Sequence, residues 1–420
     1  MSSKITKDLP RLIQELPECI GIIPLTLHII PLDKVSYEFP LMNKKMCSLK
    51  SEIDKKEYQK YWDKAKRTTN PYELVPLYGT NSLHGENMSK NISPLSRAFF
   101  KCTEIYTSID VIPEKYKKNS GNVANIAEGP GGFIEALYKQ RTFENIYDQF
   151  YGLTLYSKNK NIPGWNQIFR RKSHFLYKNP FVSLKTGNLY NISHIKEYAS
   201  LCKKCWLVTA DGGFDYSCDF NNQEISSRKI IFAEITTAFL IQEKGGSFIC
   251  KMFDLHTTFS IQLLYILRLV YDHVYITKPL TSRPANSEKY IVATGYKGIP
   301  TSLQDSMLQI LHNWDELTMY YKDIIIQHSN VPNTFLQSIK RSNFIYTYIQ
   351  KTFICRTLSY IRYKKNKYSY EEEQEEYAKK WFINHNIQKY NRYNGYNRHD
   401  SHNGYDRYGT HNRYSRYLKK

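Results

Sequence analysis

The stretch IAEGPGGFIEAL, residues 126–137, decides how the chain folds. It follows the apolar run NVANIA and continues into FIEALYKQR, which has the apolar spacing of a helix. A strand, a tight turn and a helix are predicted, because glycine and proline end the apolar run before the helical spacing begins. In an open α/β sheet such a turn is where backbone approaches a ligand. The stretch has neither the GxGxxG spacing of a dinucleotide site nor the Gly-Lys-Ser/Thr of a phosphate-binding loop.

Apolar runs typical of strands alternate with helical segments between about residues 90 and 300. The runs are VANIA, FYGLTLY, WLVTADGG, SFICKMF, HVYITKP and KYIVATGY, and helical stretches such as SRKIIFAEITTAFLIQEK separate them. This alternation predicts a mostly parallel sheet covered by helices. Only LTSRPANSE separates the last two runs. They are therefore expected to form an antiparallel hairpin, since a parallel crossover needs a dozen or more residues.

Composition divides the rest of the chain. We expect an N-terminal extension at 1–85, one α/β domain at 86–300, a helical C-terminal extension at 301–385 and a disordered tail at 386–420. The first extension contains scattered prolines and one charged, helical stretch, LKSEIDKKEYQKYWDKAKR. The tail is rich in tyrosine, asparagine and arginine and has almost no aliphatic residues with which to form a core. Its composition suits loose contact with RNA and suits a solubilising tail equally well.

Charge points to a polyanionic partner. The chain has 59 Lys+Arg against 39 Asp+Glu, a net charge of +20. Such an excess attracts nucleic acid, although a lysine-rich proteome would give a similar composition. No apolar run is long enough to cross a bilayer, so no membrane contact is expected. Eight cysteines in 420 residues do not form a disulfide framework, which favours a reducing, cytoplasmic compartment.

Two further patterns suggest sites of other kinds. The CKKC stretch at 202–205 has no second CxxC and no histidine at finger spacing, and Cys218 is its one near neighbour. Structural zinc normally has four ligands, so no metal is predicted. His256, close to Lys251, is expected to be structural.

Two basic stretches contain aromatic residues, KYKKNSGN at 115–122 and FRRKSHFLYK at 169–178. A solvated surface explains either of them. The second is the first candidate for phosphate contact.

Four further motifs, taken with AEGPGGF, resemble FtsJ-like ribose 2′-O-methyltransferases in the family's order. They are SRAFFKCTEI at 96–105, VTADGGFD at 208–215, GGSFICKMFD at 245–254 and KPLTSRPANSEKYIV at 278–292. The last is similar to the mRNA cap branch, as carried by large cytoplasmic DNA viruses. The resemblance covers about half of the chain. It implies a Rossmann-like S-adenosylmethionine-dependent methyltransferase sheet of seven strands with the last one antiparallel.

The resemblance also implies site residues. The family's catalytic Lys-Asp-Lys-Glu tetrad corresponds to Lys101, Asp211, Lys251 and Glu288. Residues expected to bind S-adenosylmethionine are Gly129, Gly131, Gly132, Phe133, Asn188 and Asp211. Asn188 stands where many relatives have an acidic residue that contacts adenine, a departure that bears on adenine recognition.

These residue types suit methyl transfer to a ribose hydroxyl. Something must remove the hydroxyl proton, and a lysine does so only if its pKa falls from about 10.4 toward the working pH. Lys101 is expected to lower the pKa of Lys251 as a nearby like charge. Asp211 and Glu288 would orient the two amines.

The function implied is mRNA cap 2′-O-ribose methylation on the first transcribed nucleotide. Capped RNA is the expected substrate, and other capping or transcription components are candidate partners. The first alternative is the same reaction on ribosomal or transfer RNA. The second is a non-catalytic RNA-binding or processivity subunit that keeps the methyltransferase fold, and a structural virion protein is a remote third. The sequence leaves the oligomeric state and the residues that contact the cap guanine open.

Overall fold

A computed structural model gives the fold. It describes residues 12–31 except 20, 22 and 25, then 40–78, 94–157, 159, 162–165, 181–183, 187–213, 221–319, 324–327, 331–363 and 368–385. The basic stretch at 169–178, Cys218 and the tail at 386–420 lie outside the described residues. What the sequence predicts for them stays a prediction.

The described residues form strands and helices in the following places. The strands are β1 (Leu12–Glu15), β2 (His28–Pro31), β3 (Asn122–Ile126), β4 (Gln149–Leu153), β5 (Phe181–Ser183), β6 (Cys205–Ala210), β7 (Gln242–Met252), β8 (Tyr271–Lys278), β9 (Lys289–Tyr296) and β10 (Ile324–Gln327). The helices are α1 (Pro40–Ile53), α2 (Lys56–Thr68), α3 (Val75–Tyr78), α4 (Ala98–Ser108), α5 (Gly132–Phe143), α6 (Ile192–Leu201), α7 (Gln223–Ser226), α8 (Arg228–Ile241), α9 (Thr258–Val270), α10 (Thr301–His312), α11 (Trp314–Met319), α12 (Asn333–Tyr363) and α13 (Tyr368–Asn384).

One mixed sheet organises the described residues. Its eight strands run in the order β1-β8-β9-β7-β6-β3-β4-β5. The strands from β7 to β5 in that order are mutually parallel, and β9 lies antiparallel between β7 and β8. The predicted Rossmann-like sheet of seven strands with the last one antiparallel is therefore confirmed. The N-terminal extension adds β1 as an eighth strand at the edge.

Helices cover both faces of this sheet. One apolar core lies against α6, α8, α9, α10 and α12. The other lies against α4, α5 and α13. All six residues of β6, CWLVTA, are buried, as expected of a central strand covered on both faces. The parallel strands β3, β4, β5, β6 and β7 all end at the same edge, where a ligand site is expected.

The predicted β8–β9 hairpin is confirmed by its antiparallel register, in which Thr277 pairs with Tyr290. The charged stretch predicted as a single helix is instead two helices, because Lys55 adopts an extended conformation between α1 and α2. A second difference lies at 324–327, where a helix was expected. These residues form β10, which pairs with β2 in a separate two-stranded sheet.

The described helices include none that is long and apolar enough to cross a membrane. Nor do the described residues contain a group of three or more histidine, cysteine or carboxylate side chains that could hold a metal ion.

Candidate active site

A cavity of about 1000 Å³ opens at the edge where the parallel strands end. Ala127, Gly129 and Asn188 line one end of it, which we call the glycine end. Asp211, Lys251 and Glu288 line the adjoining part, which we call the tetrad end. The backbone joins the two ends, since the Asp211 amide donates to the Ile126 carbonyl over 3.3 Å.

The turn after β3 is supported from below by Glu128. Its carboxyl accepts from the Ile134 amide at 3.1 Å and from the Thr209 hydroxyl at 2.8 Å. Burial raises the pKa of Glu128 to about 8, so this carboxyl adds little negative charge near neutral pH. Glu128 therefore fixes the turn after β3 by linking the start of α5 to the neighbouring strand β6.

Glycine is needed at two places because loops approach closely. A Cβ at Gly129 would lie 2.3 Å from the Pro163 carbonyl oxygen. A Cβ at Gly187 would lie 1.7 Å from the Thr154 carbonyl oxygen. The Thr154 hydroxyl also accepts from the Gly129 amide at 3.3 Å. The loops after β3, β4 and β5 are thus drawn together around the glycine end.

The remaining residues predicted for the cofactor divide into two groups. Asn188 is exposed on the cavity wall, and its side-chain oxygen accepts from the Tyr190 amide at 2.9 Å. Gly131, Gly132 and Phe133 are buried where α5 begins. The ring of Phe133 packs 5.7 Å from that of Tyr290. Gly129, Asn188 and Asp211 thus all line the cavity, whereas the other three support the turn.

The four tetrad residues converge, although they are distant in the chain. Lys101 on α4 places its Nζ 2.8 Å from the Glu288 carboxylate. Lys251 on β7 donates to the Asp211 carbonyl at 2.7 Å and lies 3.3 Å from the Asp211 carboxylate. Each of the four side chains is between 12% and 15% exposed. The tetrad is therefore two ion pairs, of which Asp211, Lys251 and Glu288 line the cavity.

The carboxylates set the protonation of this cluster. Burial would raise the pKa of Glu288, but three amines, with Lys101 foremost, hold it well below its usual range. Burial would likewise lower the pKa of Lys251, but Asp211 and then Glu288 raise it above its ordinary value. The predicted downward shift of Lys251 is therefore wrong. Lys101 donates to Glu288, and this carboxylate offsets the positive charge of Lys101. Lys101 therefore does not lower the pKa of Lys251 as expected.

Tyr290 joins the two ion pairs, and the family motifs did not point to it. It is the cross-strand neighbour of Lys251 between β7 and β9. Its hydroxyl donates to the Asp211 carboxylate at 2.8 Å and accepts from Lys101 at 3.4 Å. A signal for it existed in the sequence, because residues 288 and 290 lie two apart in an extended segment and so share a face.

The loop that carries Glu288 is fixed along its length. The Lys278 amine donates to the carbonyls of Asn286 at 2.8 Å and Glu288 at 2.7 Å. The Ser282 hydroxyl donates to the Glu288 carboxylate at 2.6 Å. Burial lowers the pKa of Lys278 to about 7. Lys278 thus holds the two ends of this loop together directly behind Glu288.

Two further carboxylates fix the same loop from α4 and from the N-terminal extension. Glu104 accepts from the backbone amides of Leu280 at 2.5 Å and Thr281 at 2.8 Å. Glu73 pairs with Arg283, with atoms 2.8 and 3.0 Å apart. None of these partners could be inferred from spacing, because each comes from a different part of the chain.

The strand end bearing Asp211 rests on a buried carboxyl of α8. Glu234 accepts from the Gly212 amide at 2.9 Å. Burial raises the pKa of Glu234 to about 8, so at neutral pH it is mostly protonated. Asp211 and Glu288 therefore supply most of the negative charge around Lys251.

The other sequence patterns have structural explanations. Cys205 is buried and Cys202 half-buried, and the described residues offer them no further metal ligand. His256 is buried, and its amide donates to Glu224 at 3.0 Å. In the 115–122 stretch Lys115 pairs with Glu243 at 2.9 Å, where β7 begins, at the opposite end of that strand from the cavity.

Comparison with known proteins agrees with this geometry. Residues 94–296 match the family model described as FtsJ-like methyltransferase. The chain is 33% identical over 201 residues to a Cap-specific mRNA (nucleoside-2′-O-)-methyltransferase 1A of Caenorhabditis briggsae, covering 46% of this chain and 22% of that protein. It is 32% identical over 216 residues to a Cap-specific mRNA (nucleoside-2′-O-)-methyltransferase 1 of Trypanosoma cruzi, covering 49% and 58%.

A third relative is named an inactive enzyme. It is the Inactive cap-specific mRNA (nucleoside-2′-O-)-methyltransferase 1B of Caenorhabditis briggsae, 32% identical over 180 residues, covering 41% of this chain and 21% of that protein. The chain therefore spans less than two thirds of the length of these curated relatives.

Among solved structures, a ribosomal RNA methyltransferase from Plasmodium falciparum aligns with a TM-score of 0.34 and 17% identity, covering 49% of this chain and 100% of that one. The sequence motifs, the sheet order and the family match fall on the same residues. Residues 94–296 of this chain thus form a domain of the FtsJ-like methyltransferase family.

Proposed function

We propose that the chain is an S-adenosylmethionine-dependent mRNA cap 2′-O-methyltransferase acting on the first transcribed nucleotide. One observation carries the proposal. Lys101 pairs with Glu288, Lys251 pairs with Asp211, and Asp211, Lys251 and Glu288 line one end of a cavity whose other end is made of glycine turns. The names of the relatives support capped mRNA as the substrate.

The residues at the glycine end fit a nucleoside cofactor. Gly129 and Gly187 line this end of the cavity without side chains, so a ligand can lie close to the main chain there. Asn188 offers a side-chain amide to an adenine, and Asp211 lies where the glycine end meets the tetrad end. When bound, S-adenosylmethionine supplies a methyl group on a positively charged sulfonium, a charge that would lower the pKa of a nearby ammonium.

Lys251 would remove the proton of the ribose hydroxyl. Its Nζ is fixed by the carbonyl and carboxylate oxygens of Asp211, so the amine has one orientation toward the cavity. Lys101 and Glu288 form the second pair, which holds the acceptor side of the site and balances its charge. Alignment of the hydroxyl with the methyl donor would account for much of the remaining acceleration.

The pH dependence follows from the raised pKa of Lys251. A raised pKa means that little of the amine is neutral near pH 7. The rate of methyl transfer at saturating cofactor should therefore rise with pH, by up to tenfold per unit, until the amine is neutral. Lys251→Arg should remove this rise, since a guanidinium keeps its proton.

The deciding experiment measures methyl transfer from labelled cofactor to capped RNA, uncapped RNA and capped RNA already methylated at the first 2′-oxygen. The full chain should methylate the first substrate alone. Lys251→Ala should lower that activity by about a thousandfold with the fold intact, because general-base catalysis contributes about that much. The matched control is Lys118→Ala, an exposed lysine that precedes β3 and so lies at the opposite end of that strand from the cavity. Equal activity on uncapped RNA would favour a ribosomal or transfer RNA substrate instead.

One observation favours a second candidate, a non-catalytic RNA-binding subunit. A relative of similar identity carries the word inactive in its name. The full tetrad of this chain argues against that role. RNA binding without any binding of S-adenosylmethionine would support it and would overturn the proposed catalysis.

A further inference from the structure

Two helices outside the family match form a wall of the reaction cavity. Trp62 and Lys66 of α2 line the cavity together with Gln350 and Ile354 of α12. Trp62 and Ile354 belong to one small apolar cluster, so the two helices pack against each other. The Thr69 and Thr357 hydroxyls, 2.7 Å apart, join them further. The extensions are therefore part of the same site as Lys251.

The two helices of this wall are rich in basic residues, although Lys66 at the cavity itself pairs with Asp63. α2 has five basic and two acidic residues. α12 has five basic residues and no acidic residue among its 31. Two of its cations are engaged, since Arg356 pairs with Glu373 and Arg362 contacts the Tyr58 hydroxyl. The exposed face of a helix with unpaired cations and no carboxylate attracts anions.

Part of α12 faces away from the fold and carries cations and aromatic rings together. We call this face the α12 stripe, and its members are Lys340, Arg341, Phe344, Tyr348 and Lys351. Phe344 is 61% exposed and Tyr348 is 54% exposed. The spacing of three and four residues places both rings in one row. Among the described residues, no carboxylate pairs with any of the three cations.

The stripe lies on the same helix as the cavity wall, turned away from the cavity by part of a helical turn. Lys351 directly follows Gln350, which lines the cavity, and Arg341 lies ten residues nearer the helix start. At a rise of 1.5 Å per residue this distance is about 15 Å, enough for several nucleotides of an extended strand. Exposed rings between cations are what single-stranded nucleic acid uses, with bases on the rings and phosphates on the cations.

We propose that the α12 stripe binds the single-stranded RNA that continues from the nucleotide held in the cavity. This inference rests on the proposed function and adds where the rest of the substrate lies. A protein partner would need carboxylates to match the cations, whereas RNA supplies regular negative charge and flat bases in one molecule. The stripe therefore selects for acceptors longer than the reacting end.

The test compares two acceptors with the full chain. One is a capped dinucleotide and the other a capped, unstructured RNA of about 20 nucleotides. Two variants are used, Phe344→Ala/Tyr348→Ala for the rings and Lys340→Gln/Arg341→Gln/Lys351→Gln for the charges. The control is Lys117→Gln/Lys118→Gln/Lys244→Gln, which removes three exposed cations from the opposite edge of the sheet.

For the long RNA, each stripe variant should raise KM about tenfold with kcat unchanged, because one stacked base or a few phosphate contacts are lost. For the dinucleotide, KM should stay within about twofold, since no nucleotide reaches the stripe. The charge variant should also reduce the slope of log KM against log salt by about 2.

Equal KM values for wild type and both stripe variants on the long RNA would overturn the inference. A loss that the control variant matches would also overturn it, since it would then be a general effect of charge. Failure of the wild type to methylate either acceptor would instead count against the proposed function.

Discussion

The two ends of the cavity are built by different means. The glycine end is shaped by backbone, with loops so close that a Cβ at Gly187 would lie 1.7 Å from a carbonyl oxygen. The tetrad end is shaped by charge, with two amines paired to two carboxylates at 2.8 and 3.3 Å. A larger side chain should disturb the glycine end, whereas the loss of one charged group should disturb the tetrad end. Substitutions should therefore separate binding of the methyl donor from catalysis.

The tetrad end should give the largest effect. Glu288→Gln would leave Lys101, Lys251 and Lys278 close together without the carboxylate that now holds them. We expect methyl transfer to fall at least about a thousandfold and the free energy of unfolding to fall by about 3 kcal/mol. Activity assays and denaturant unfolding measure the two changes.

The matched control for that change is Glu197→Gln, an exposed carboxylate on α6. Affinity for S-adenosylmethionine should stay within a few-fold in both variants. A loss of cofactor affinity as large as the loss of rate in Glu288→Gln would mean that the two ends are not separate.

The glycine end should respond in the opposite way. Gly187→Ala forces the turn before α6 away from Thr154, because the new Cβ cannot share space with that carbonyl oxygen. We expect affinity for S-adenosylmethionine, measured by calorimetry, to fall about a hundredfold while affinity for RNA changes little. Gly164→Ala is the control, since a Cβ there meets no atom of the described residues within 4 Å. Unchanged cofactor affinity in Gly187→Ala would move the donor site elsewhere.

The smallest expected effect lies between the two ion pairs. Tyr290→Phe removes the hydroxyl that donates to Asp211 and leaves the ring in place. We expect kcat to fall about tenfold with KM unchanged, the usual value of one hydrogen bond to a charged group. Tyr275→Phe on the neighbouring strand should leave the rate as it is. A rate within twofold of wild type for Tyr290→Phe would show that Asp211 does not need this partner.

The sequence predicted the fold well where elements were long. Six apolar runs correspond to β3, β4, β6, β7, β8 and β9. β5 has three residues, too few for a periodic signal. Residues 324–326 end a stretch whose pattern predicts a helix, but pairing with β2 decides their conformation instead.

For the site, the motifs predicted four residues that the fold brings together. They did not predict how the four pair, and this is why the direction of the Lys251 pKa was wrong. The sequence shows that Lys101 carries the same charge as Lys251, but it does not show that Lys101 is bound to Glu288. Glu104 and Lys278 were missed for a related reason, since their partners depend on how a loop folds back on α4 and β8.

The pairing of β1 with β8 has a practical consequence. Leu12–Glu15 hydrogen-bonds along Tyr275–Lys278, and the Leu16 amide donates to the Val274 carbonyl at 2.8 Å. A fragment trimmed to residues 94–296 would lack β1 and would leave β8 as an exposed edge strand, which can pair with a strand of another molecule. The family-matching segment expressed by itself should therefore aggregate or form oligomers. Biochemical work on this enzyme candidate is better begun with β1 retained.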